Sequence, residues 1–486
     1  MRILGINDSS HDAAVAVVEN GKILFAAHAE RYEVNKNTFH LNNDIVKEAM
    51  SYGKPDKIAY FEKRSLKRVR LALHGGINGQ YAKHNYTKLG LYKFLDEVEE
   101  VQISHHRSHA AAGYMTSPFD DATIVVLDAI GEFETASIWT AAGNKIRRRW
   151  SMKYPTSFGL FYSHMTNLVG LIPAQDEYIL MGMAAFGDKE RYSKYLNSLF
   201  PQYESQAVNF HKKRNVGIDI KSEQDKFDLA AATQHVFEAR LMDLMVLAKS
   251  IGKSKNLVYM GGCALNCSAN TKLFEVFDNV WIMPNPGDAG SSLGAALSVY
   301  GEKIEWKGPY LGTPVGGHYP VHQILHELNH CGVVGVMNGR AEFGPRALGN
   351  RSLLADPRDN GSKQRLNSIK KREQFRPFAP VVLEEEANDW FDLPAPSPYM
   401  QFAVRAKKPD LIPGAVHVDG TSRVQTVSKQ QHPGLHEVLV RWRNTTGIPV
   451  LINTSLNIKN QPLLNDARDG RQWREKYPSV PLVIGS

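Results

Sequence analysis

The pattern that most restricts how this chain can fold occurs twice, over a hundred residues apart. In the first copy an apolar run, Ile3 to Ile6, meets a polar turn, Asn7 to Asp12. A second run, Ala13 to Val18, then leads through Glu19-Asn20-Gly21 into a third, Ile23 to Ala27. Short apolar runs punctuated by Gly, Asn and Asp read as strands joined by turns. The second copy has a strand from Thr123 to Leu127, a turn from Asp128 to Glu132 containing Gly131, a strand from Thr135 to Thr140, the turn Ala142-Gly143-Asn144, and a further strand from Lys145. Repetition at this distance predicts an internally duplicated domain. Each copy sets an acidic turn between two strands, an arrangement that lets two loops reach one nucleotide from opposite sides.

With 486 residues the chain is expected to form two or three domains. Its hydrophobic content of 43% and charged content of 22% are ordinary for a globular protein. No apolar run approaches the roughly 20 residues that span a bilayer. Met1-Arg2-Ile3-Leu4-Gly5-Ile6 runs directly into polar Asn7-Asp8-Ser9-Ser10, without the apolar core and cleavage site of a signal peptide. A cytoplasmic protein with no membrane partner is expected. Three cysteines, Cys263, Cys267 and Cys331, fit a reducing compartment. Cys263 and Cys267 lack C-x-x-C spacing and read as packing residues beside a glycine turn. The net charge of +8 is concentrated in Lys63 to Arg70, Lys145 to Arg149 and Lys363 to Arg376. That excess favours anionic ligands, whether nucleotides, phosphates or nucleic acid, although runs this short also read as solvated faces.

Three histidines fall within Ser104-His105-His106-Arg107-Ser108-His109, followed by Ala110-Ala111-Ala112. The alanines favour helix and Ser104 suits its N-cap. On a helix His105 and His109 share a face at the spacing by which two imidazoles hold one metal ion, and His106 does not share it. Imidazole suits iron, zinc, copper or nickel. The pair is not a full ligand set, and a polar helix start with incidental histidines accounts for it equally. Two further segments are turns feeding small-residue helices. In Leu257 to Asn266, Gly261 and Gly262 allow close backbone approach to an anion at a helix start, or form an ordinary strand-to-helix turn. In Asn285 to Ala296, Asp288 is a metal ligand, a phosphate-facing group or an N-cap.

From Gly301 to Tyr319 the chain is rich in Gly and Pro and reads as a linker, 301–319. The chemistry then changes. Arg340 to Arg358 contains Phe343-Gly344-Pro345-Arg346-Ala347-Leu348-Gly349-Asn350-Arg351-Ser352. Lys370-Lys371-Arg372-Glu373, Phe375 to Pro380, Asp419 to Gln425 and Asn453-Thr454-Ser455-Leu456-Asn457 follow. Arginines on loops shaped by Pro and Gly suit a polyanion pocket, because guanidinium groups clamp phosphate oxygens in pairs. Surface salt bridging explains one such loop readily and four less well.

The duplicated hairpin resembles the actin, Hsp70 and sugar-kinase superfamily in pattern. Taken with the other segments, the chain resembles the O-carbamoyltransferase family typified by nodulation, aminoglycoside and cephalosporin carbamoyltransferases. The likeness runs from Leu4 to about Leu463, through His11-Asp12, the helix at His105, Gly261 to Asn270, Asn285 to Ala296, Phe343 to Arg358, Arg365 to Pro380 and Asn453 to Asn457. It implies an α/β and α+β protein. A duplicated actin-like domain, 1–300, would precede a YrdC-like domain, 320–486, whose Lys-x-Arg and Ser-x-Asn motifs match Lys370-Lys371-Arg372 and Ser455-Leu456-Asn457. The chemistry implied has two steps. Carbamoyl phosphate and ATP, with Mg2+, give carbamoyl-adenylate in the second domain, and an acceptor hydroxyl takes the carbamoyl group in the first, releasing AMP. By the motif match His105, His109, Asp128 and Asp288 are the expected metal ligands, with Fe2+ preferred and another divalent metal allowed. His11, beside Asp12, is the expected catalytic histidine, suited to deprotonating or orienting a hydroxyl if it titrates near neutrality. Gly131, Gly261, Gly262, Asn266 and Gly287 are expected along the adenylate cleft. Arg346, expected to be catalytic, together with Lys370, Arg372, Arg376, Arg423, Ser455 and Asn457, is expected to hold the phosphates.

The chain departs from the family's pattern in three places. Ile179 stands where a lysine is usual, the region between Gly187 and Leu257 is compact, and the chain after Leu463 does not follow the usual helical ending. The expected partners are a small-molecule hydroxyl acceptor, with a nucleoside or modified base among the options, and a second copy of the chain as a homodimer. The competing readings are an actin-like kinase, which leaves the second domain without a role, a fused threonylcarbamoyl-adenylate and tRNA-modifying enzyme, and a non-catalytic nucleic-acid-binding protein.

Overall fold

The computed structural model describes residues 1–74, 95, 97–212, 215–359 and 361–485. The chain divides into two compact units. The first comprises residues 1–29 and 37–306, and the second residues 30–36 and 307–486. Two features of this division correct the sequence reading. The segment 301–319 is not a plain linker, because Tyr310–Val315 forms strand β11, paired with β13 (Gly339–Glu342). Glu30 to Lys36 belongs to the second unit although it lies early in the chain. A Gly/Pro-rich composition marks turns but does not prevent an edge pairing.

The duplicated pattern is present in the first unit as two five-stranded sheets of the same topology. One contains β1 (Arg2–Asn7), β2 (Ala14–Glu19), β3 (Lys22–His28), β4 (Lys57–Tyr60) and β5 (Glu100–Gln102), in the order β3-β2-β1-β4-β5. The other contains β6 (Asp121–Leu127), β7 (Glu134–Ala142), β8 (Lys145–Lys153), β9 (Asn256–Met260) and β10 (Asn279–Trp281), in the order β8-β7-β6-β9-β10. Each begins as an antiparallel meander and continues with two parallel strands. Every apolar side chain of β2 is buried, as its unbroken Ala-Val-Ala-Val-Val run requires.

Two helices between these sheets position the site. Helix His105–Met115 follows the first sheet and lies on the second. A Cβ added at its Gly113 would sit 2.6 Å from Val258 Cγ1 and 2.5 Å from Met260 Cγ of β9. Helix Gly290–Tyr300 lies on β1, where a Cβ at Gly5 would sit 1.9 Å from the Ser292 carbonyl oxygen. The two helices meet where Gly294 faces the Ser108 carbonyl oxygen, 1.8 Å from an added Cβ. Only glycine permits backbones to approach this closely.

In the second unit a seven-stranded mixed sheet has the order β16-β17-β15-β18-β14-β12-β19. Its strands are β12 (Val333–Met337), β14 (Arg351–Ala355), β15 (Ala379–Leu383), β16 (Phe402–Arg405), β17 (Thr421–Val427), β18 (Val450–Ser455) and β19 (Leu482–Ile484). Ile324 and Leu328 of helix Val321–Cys331 and Leu439 and Trp442 of helix Pro433–Thr446 share a core with Val334, Val336 and Val381 of the sheet. Trp473 packs with Met337, Leu353 and Leu456 in a second core.

Candidate active site

Four buried side chains converge in the first unit. His105 and His109 come from the first turns of their helix, Asp128 from the turn after β6, and Asp288 from the turn before helix Gly290–Tyr300. His105 Nε2 lies 3.0 Å from Asp128 Oδ2 and 3.5 Å from Asp288 Oδ1. His109 Nε2 lies 3.3 Å from both oxygens, and the two Nε2 atoms are 3.2 Å apart. Bonds of about 2.0–2.2 Å to one ion place neighbouring ligand atoms roughly 3.0–3.5 Å apart. The donor set therefore fits a single divalent cation, and its mixture of two imidazoles and two carboxylates suits iron among other transition ions. Of the roles open to Asp288, the structure favours the ligand: its side chain faces the histidines, and the N-cap position of the helix falls to Ala289. His106 points away, with Nδ1 2.7 Å from Ser137 Oγ, as its place on the other helix face requires.

The electrostatics agree with a centre built around positive charge. Burial opposes protonation of His105, but Asp288, Asp128 and Glu132 carry it up to about 9. His109 is raised by the same two aspartates against the effect of burial. Burial pushes Asp128 upward, but its hydrogen bonds to His105 and His109 hold it well below the usual carboxylate range. Two carboxylates at such depth require a compensating cation.

His11 lies beside this centre, with Nδ1 2.8 Å from Asp12 Oδ2 and Nε2 3.5 Å from Asp288 Oδ2. Its side chain remains 38% exposed. Burial pulls its pKa down, but Asp288, Asp12 and Asp128 outweigh that and hold it at about 10. Asn7, fully buried, ties the two turns together by donating from Nδ2 to the Asp12 and Asp288 carbonyl oxygens, at 3.1 and 3.0 Å.

Of the glycines expected along an adenylate cleft, Gly287 borders open space. A Cβ at Gly262 would lie 3.2 Å from Asp128 Oδ1, and one at Gly131 would lie 3.0 Å from His105 Cδ2. The N–H of Gly261 is not available to an anion, because it donates to the Pro286 carbonyl oxygen. Asn266 is likewise committed elsewhere. Its Oδ1 accepts from the Ala269 N–H and from Gln234, and its Nδ2 donates to Gln234. An asparagine before a short helix serves as its cap.

The second unit joins Lys370, Ser455 and Asn457 directly. Lys370 is buried, and its Nζ lies 3.1 Å from Ser455 Oγ, 2.7 Å from Asn457 Oδ1 and 3.0 Å from the Asn457 carbonyl oxygen, with the Ser455 carbonyl oxygen also in reach. These partners are all neutral. Burial first, then Arg372, Arg376 and Lys36, push the lysine well below its usual range. Arg372 donates to Asn367 Oδ1 and lies over the Phe378 ring, and Arg376 is 3.5 Å from Glu373. Arg423 stands half-buried on β17, and Arg346 half-buried on the loop between β13 and β14.

Sequence reading missed what shapes that loop. Fully buried Glu342 accepts from the Leu348, Asn350 and Arg351 N–H groups through Oε1. The Arg351 guanidinium, also fully buried, donates to the carbonyl oxygens of Asn338, Gly339, Asn350, Thr313 and Asn465. A buried charge needs such complete satisfaction. The only sequence signal was the density of charged and glycine residues around Arg346.

Comparison with known proteins gives this geometry a family. Residues 77–297 match the carbamoyltransferase N-terminus model and residues 325–486 the carbamoyltransferase C-terminus model. An uncharacterized Synechocystis protein is 30% identical over 96% of this chain and 93% of its own length. Nodulation protein NolNO of Sinorhizobium fredii is 31% identical over 99% of this chain and 79% of its own. Among solved structures, HypF of T. kodakarensis aligns at 14% identity over 62% of this chain and 47% of that one, with a TM-score of 0.33. The chain belongs to the carbamoyltransferase family and is a transferase. Among the described residues no helix is long and apolar enough to cross a membrane.

Proposed function

We propose that this chain is an ATP-dependent O-carbamoyltransferase that works in two steps, with an actin-like first unit and a YrdC-like second unit. The reading is carried by one observation: the two units carry different chemistries, a His/carboxylate centre with a neighbouring histidine in the first and a buried lysine with basic side chains near it in the second. In the second unit Lys370, Arg372 and Arg376, with Arg346 of the β13–β14 loop and Arg423 of β17, bind carbamoyl phosphate and the triphosphate of ATP. Water cleaves carbamoyl phosphate to carbamate and inorganic phosphate, and a carbamate oxygen then bonds to the α-phosphorus of ATP as the α–β phosphoanhydride bond breaks, giving carbamoyl-adenylate and pyrophosphate. Fixed cations stabilise charge where it develops.

In the first unit His105, His109, Asp128 and Asp288 would hold a divalent cation, for which we favour iron. When bound, it supplies Lewis acidity toward a carbonyl oxygen. Asp12 fixes the His11 ring through Nδ1, which leaves Nε2 to orient the acceptor hydroxyl and take its proton. The acceptor oxygen bonds to the carbamoyl carbon, the bond to the adenylate oxygen breaks, and AMP leaves. The acceptor is a small alcohol, with nucleosides and modified bases within the class.

The test is product analysis with ATP, carbamoyl phosphate and a panel of alcohols. AMP and pyrophosphate should appear only when carbamoyl phosphate is present, with a product heavier by HNCO, and His11→Ala should give no product. Conversion of ATP to ADP with a phosphorylated product would refute the reading. Turnover with bicarbonate and threonine in place of carbamoyl phosphate would replace it with threonylcarbamoyl-adenylate formation.

A further inference from the structure

A helix that carries two ligands needs its N-terminus fixed, because the first N–H groups of a helix have no partner within it. Ser104 occupies the N-cap position of helix His105–Met115, but its side chain makes no capping bond. The acceptor comes from elsewhere. Glu132, buried at 3% exposure, accepts the His105 N–H at 2.9 Å through Oε1. The same oxygen accepts the Lys63 N–H, at 2.8 Å, just beyond β4. Glu132 closes the turn that begins with Asp128, and Gly131 of that turn lies against the His105 ring. One five-residue turn thus supplies a ligand, the floor beneath a second ligand and the cap that holds that second ligand's backbone.

The usual way of orienting a ligating imidazole is a hydrogen bond from its other ring nitrogen to a carboxylate or carbonyl group. Here Nδ1 of both His105 and His109 is buried with no hydrogen-bond partner among the described residues. Orientation must therefore come through packing and backbone. We propose that Glu132 is a positioning residue of the His/carboxylate centre, acting through the His105 N–H to keep both imidazoles aimed at Asp128 and Asp288. The inference rests on the metal-centre reading above.

It is tested on the full chain by titrating metal-free protein with Co2+ and following the visible ligand-field bands. Glu132→Ala removes the acceptor and should weaken Co2+ binding tenfold or more and alter the band pattern. Glu132→Gln keeps an acceptor oxygen at the same reach and should stay within about threefold of the parent. Glu132→Asp, too short to reach, should behave like the alanine variant and serves if the latter fails to fold. Ser222→Ala, which removes the cap of helix Glu223–Gly252 in the same unit, should lower stability and leave Co2+ binding unchanged. Parental Co2+ affinity and spectrum in Glu132→Ala, or equal weakening in Glu132→Gln, would overturn the proposal. A parent protein that binds no Co2+ at this centre would instead remove the metal reading itself.

Discussion

Gly294→Ala is a single methyl placed where the site has least tolerance. The added Cβ would lie 1.8 Å from the Ser108 carbonyl oxygen and 2.9 Å from Ala112 Cβ. Restoring ordinary van der Waals contact requires the two helices to part by roughly 1.5 Å. The movement cannot be absorbed on the other side, because Gly5 of β1 already meets the Ser292 carbonyl oxygen at the closest approach a glycine allows. Overpacking of this kind costs about 1–3 kcal/mol, and alanine returns about 1 kcal/mol in helix propensity. The net loss is at most about 2 kcal/mol, which should lower the melting temperature of the first unit by up to roughly 8 °C. The effect on the site should be larger. Ser108 stands between His105 and His109, and Asp288 leads directly into the helix that would move. Metal–ligand distances tolerate only about 0.2 Å, so a 1.5 Å separation removes Asp288 from the set and should cost Co2+ affinity at least tenfold. Calorimetry and Co2+ titration of parent and variant measure both quantities. Gly316→Ala in the second unit, where an added Cβ meets nothing within 4 Å, should change neither. Parental Co2+ affinity in Gly294→Ala would show that the helix contact does not set ligand geometry, and an unchanged melting temperature as well would refute the packing argument.

Two predictions concern the second unit. His432 caps helix Pro433–Thr446 as a neutral ring, accepting the Leu435 N–H at Nδ1 with Nε2 3.0 Å from Asn350 Oδ1, and burial lowers its pKa to about 4. Between that value and 6.5 the unfolded chain binds a proton that the folded chain refuses, so stability falls with falling pH, by about 2 kcal/mol from pH 7.5 to pH 5. His432→Asn, which retains a capping acceptor, should remove that part of the pH dependence in urea unfolding, and an unchanged slope would refute the assignment. Lys370→Met removes the buried amino group, leaves its Ser455 and Asn457 acceptors without their donor at a cost of about 1–3 kcal/mol, and should reduce carbamoyl phosphate-dependent pyrophosphate release about tenfold. Metal content should be unaffected, and undiminished pyrophosphate release would exclude Lys370 from phosphate binding.

What could be read from the sequence follows from the range of each interaction. The hairpin pattern is local, so β1 to β3 and β6 to β8 fall within a residue or two of their expected bounds. The i, i+4 relation of His105 and His109 is also local, and both rings face one point. Asp128 and Asp288 needed the family likeness, because nothing in their own neighbourhoods separates a ligand from a cap. Asn266 shows the converse. It lies in a motif segment, yet its amide is engaged by Gln234, 32 positions earlier, and such a partner leaves no trace in the motif. Glu132 and Glu342 were invisible for a related reason: each acts by accepting backbone N–H groups, which every sequence contains. The pairing of β11 with β13 and the placement of Glu30 to Lys36 in the second unit are tertiary choices that composition does not encode.

The duplication also explains why the site is asymmetric. Asp8 and Asp128 are each the first residue past the opening strand of their sheet, and both are buried. Asp8 is used to build its own loop. Its Oδ1 accepts the Leu41 N–H, Oδ2 accepts the Ser9 hydroxyl, and its carbonyl oxygen accepts the Tyr60 hydroxyl. Asp128 turns Oδ2 toward His105 and His109 and keeps Oδ1 for the Ala129 N–H. The difference lies in what each sheet delivers to the turn. Past β5 the chain enters a helix with two inward imidazoles, which meet Asp128, whereas the loop after β3 brings Leu41 to Asp8. One aspartate position thus serves loop architecture in one copy and faces the His105–His109 pair in the other. His11, three residues beyond Asp8, can then approach the centre from a turn whose shape Asp8 has already secured. Asp8→Asn should accordingly loosen the His11 loop and reduce turnover, and Asp128→Asn should reduce metal affinity first, a separation that Co2+ titration beside carbamoyl-transfer assays resolves.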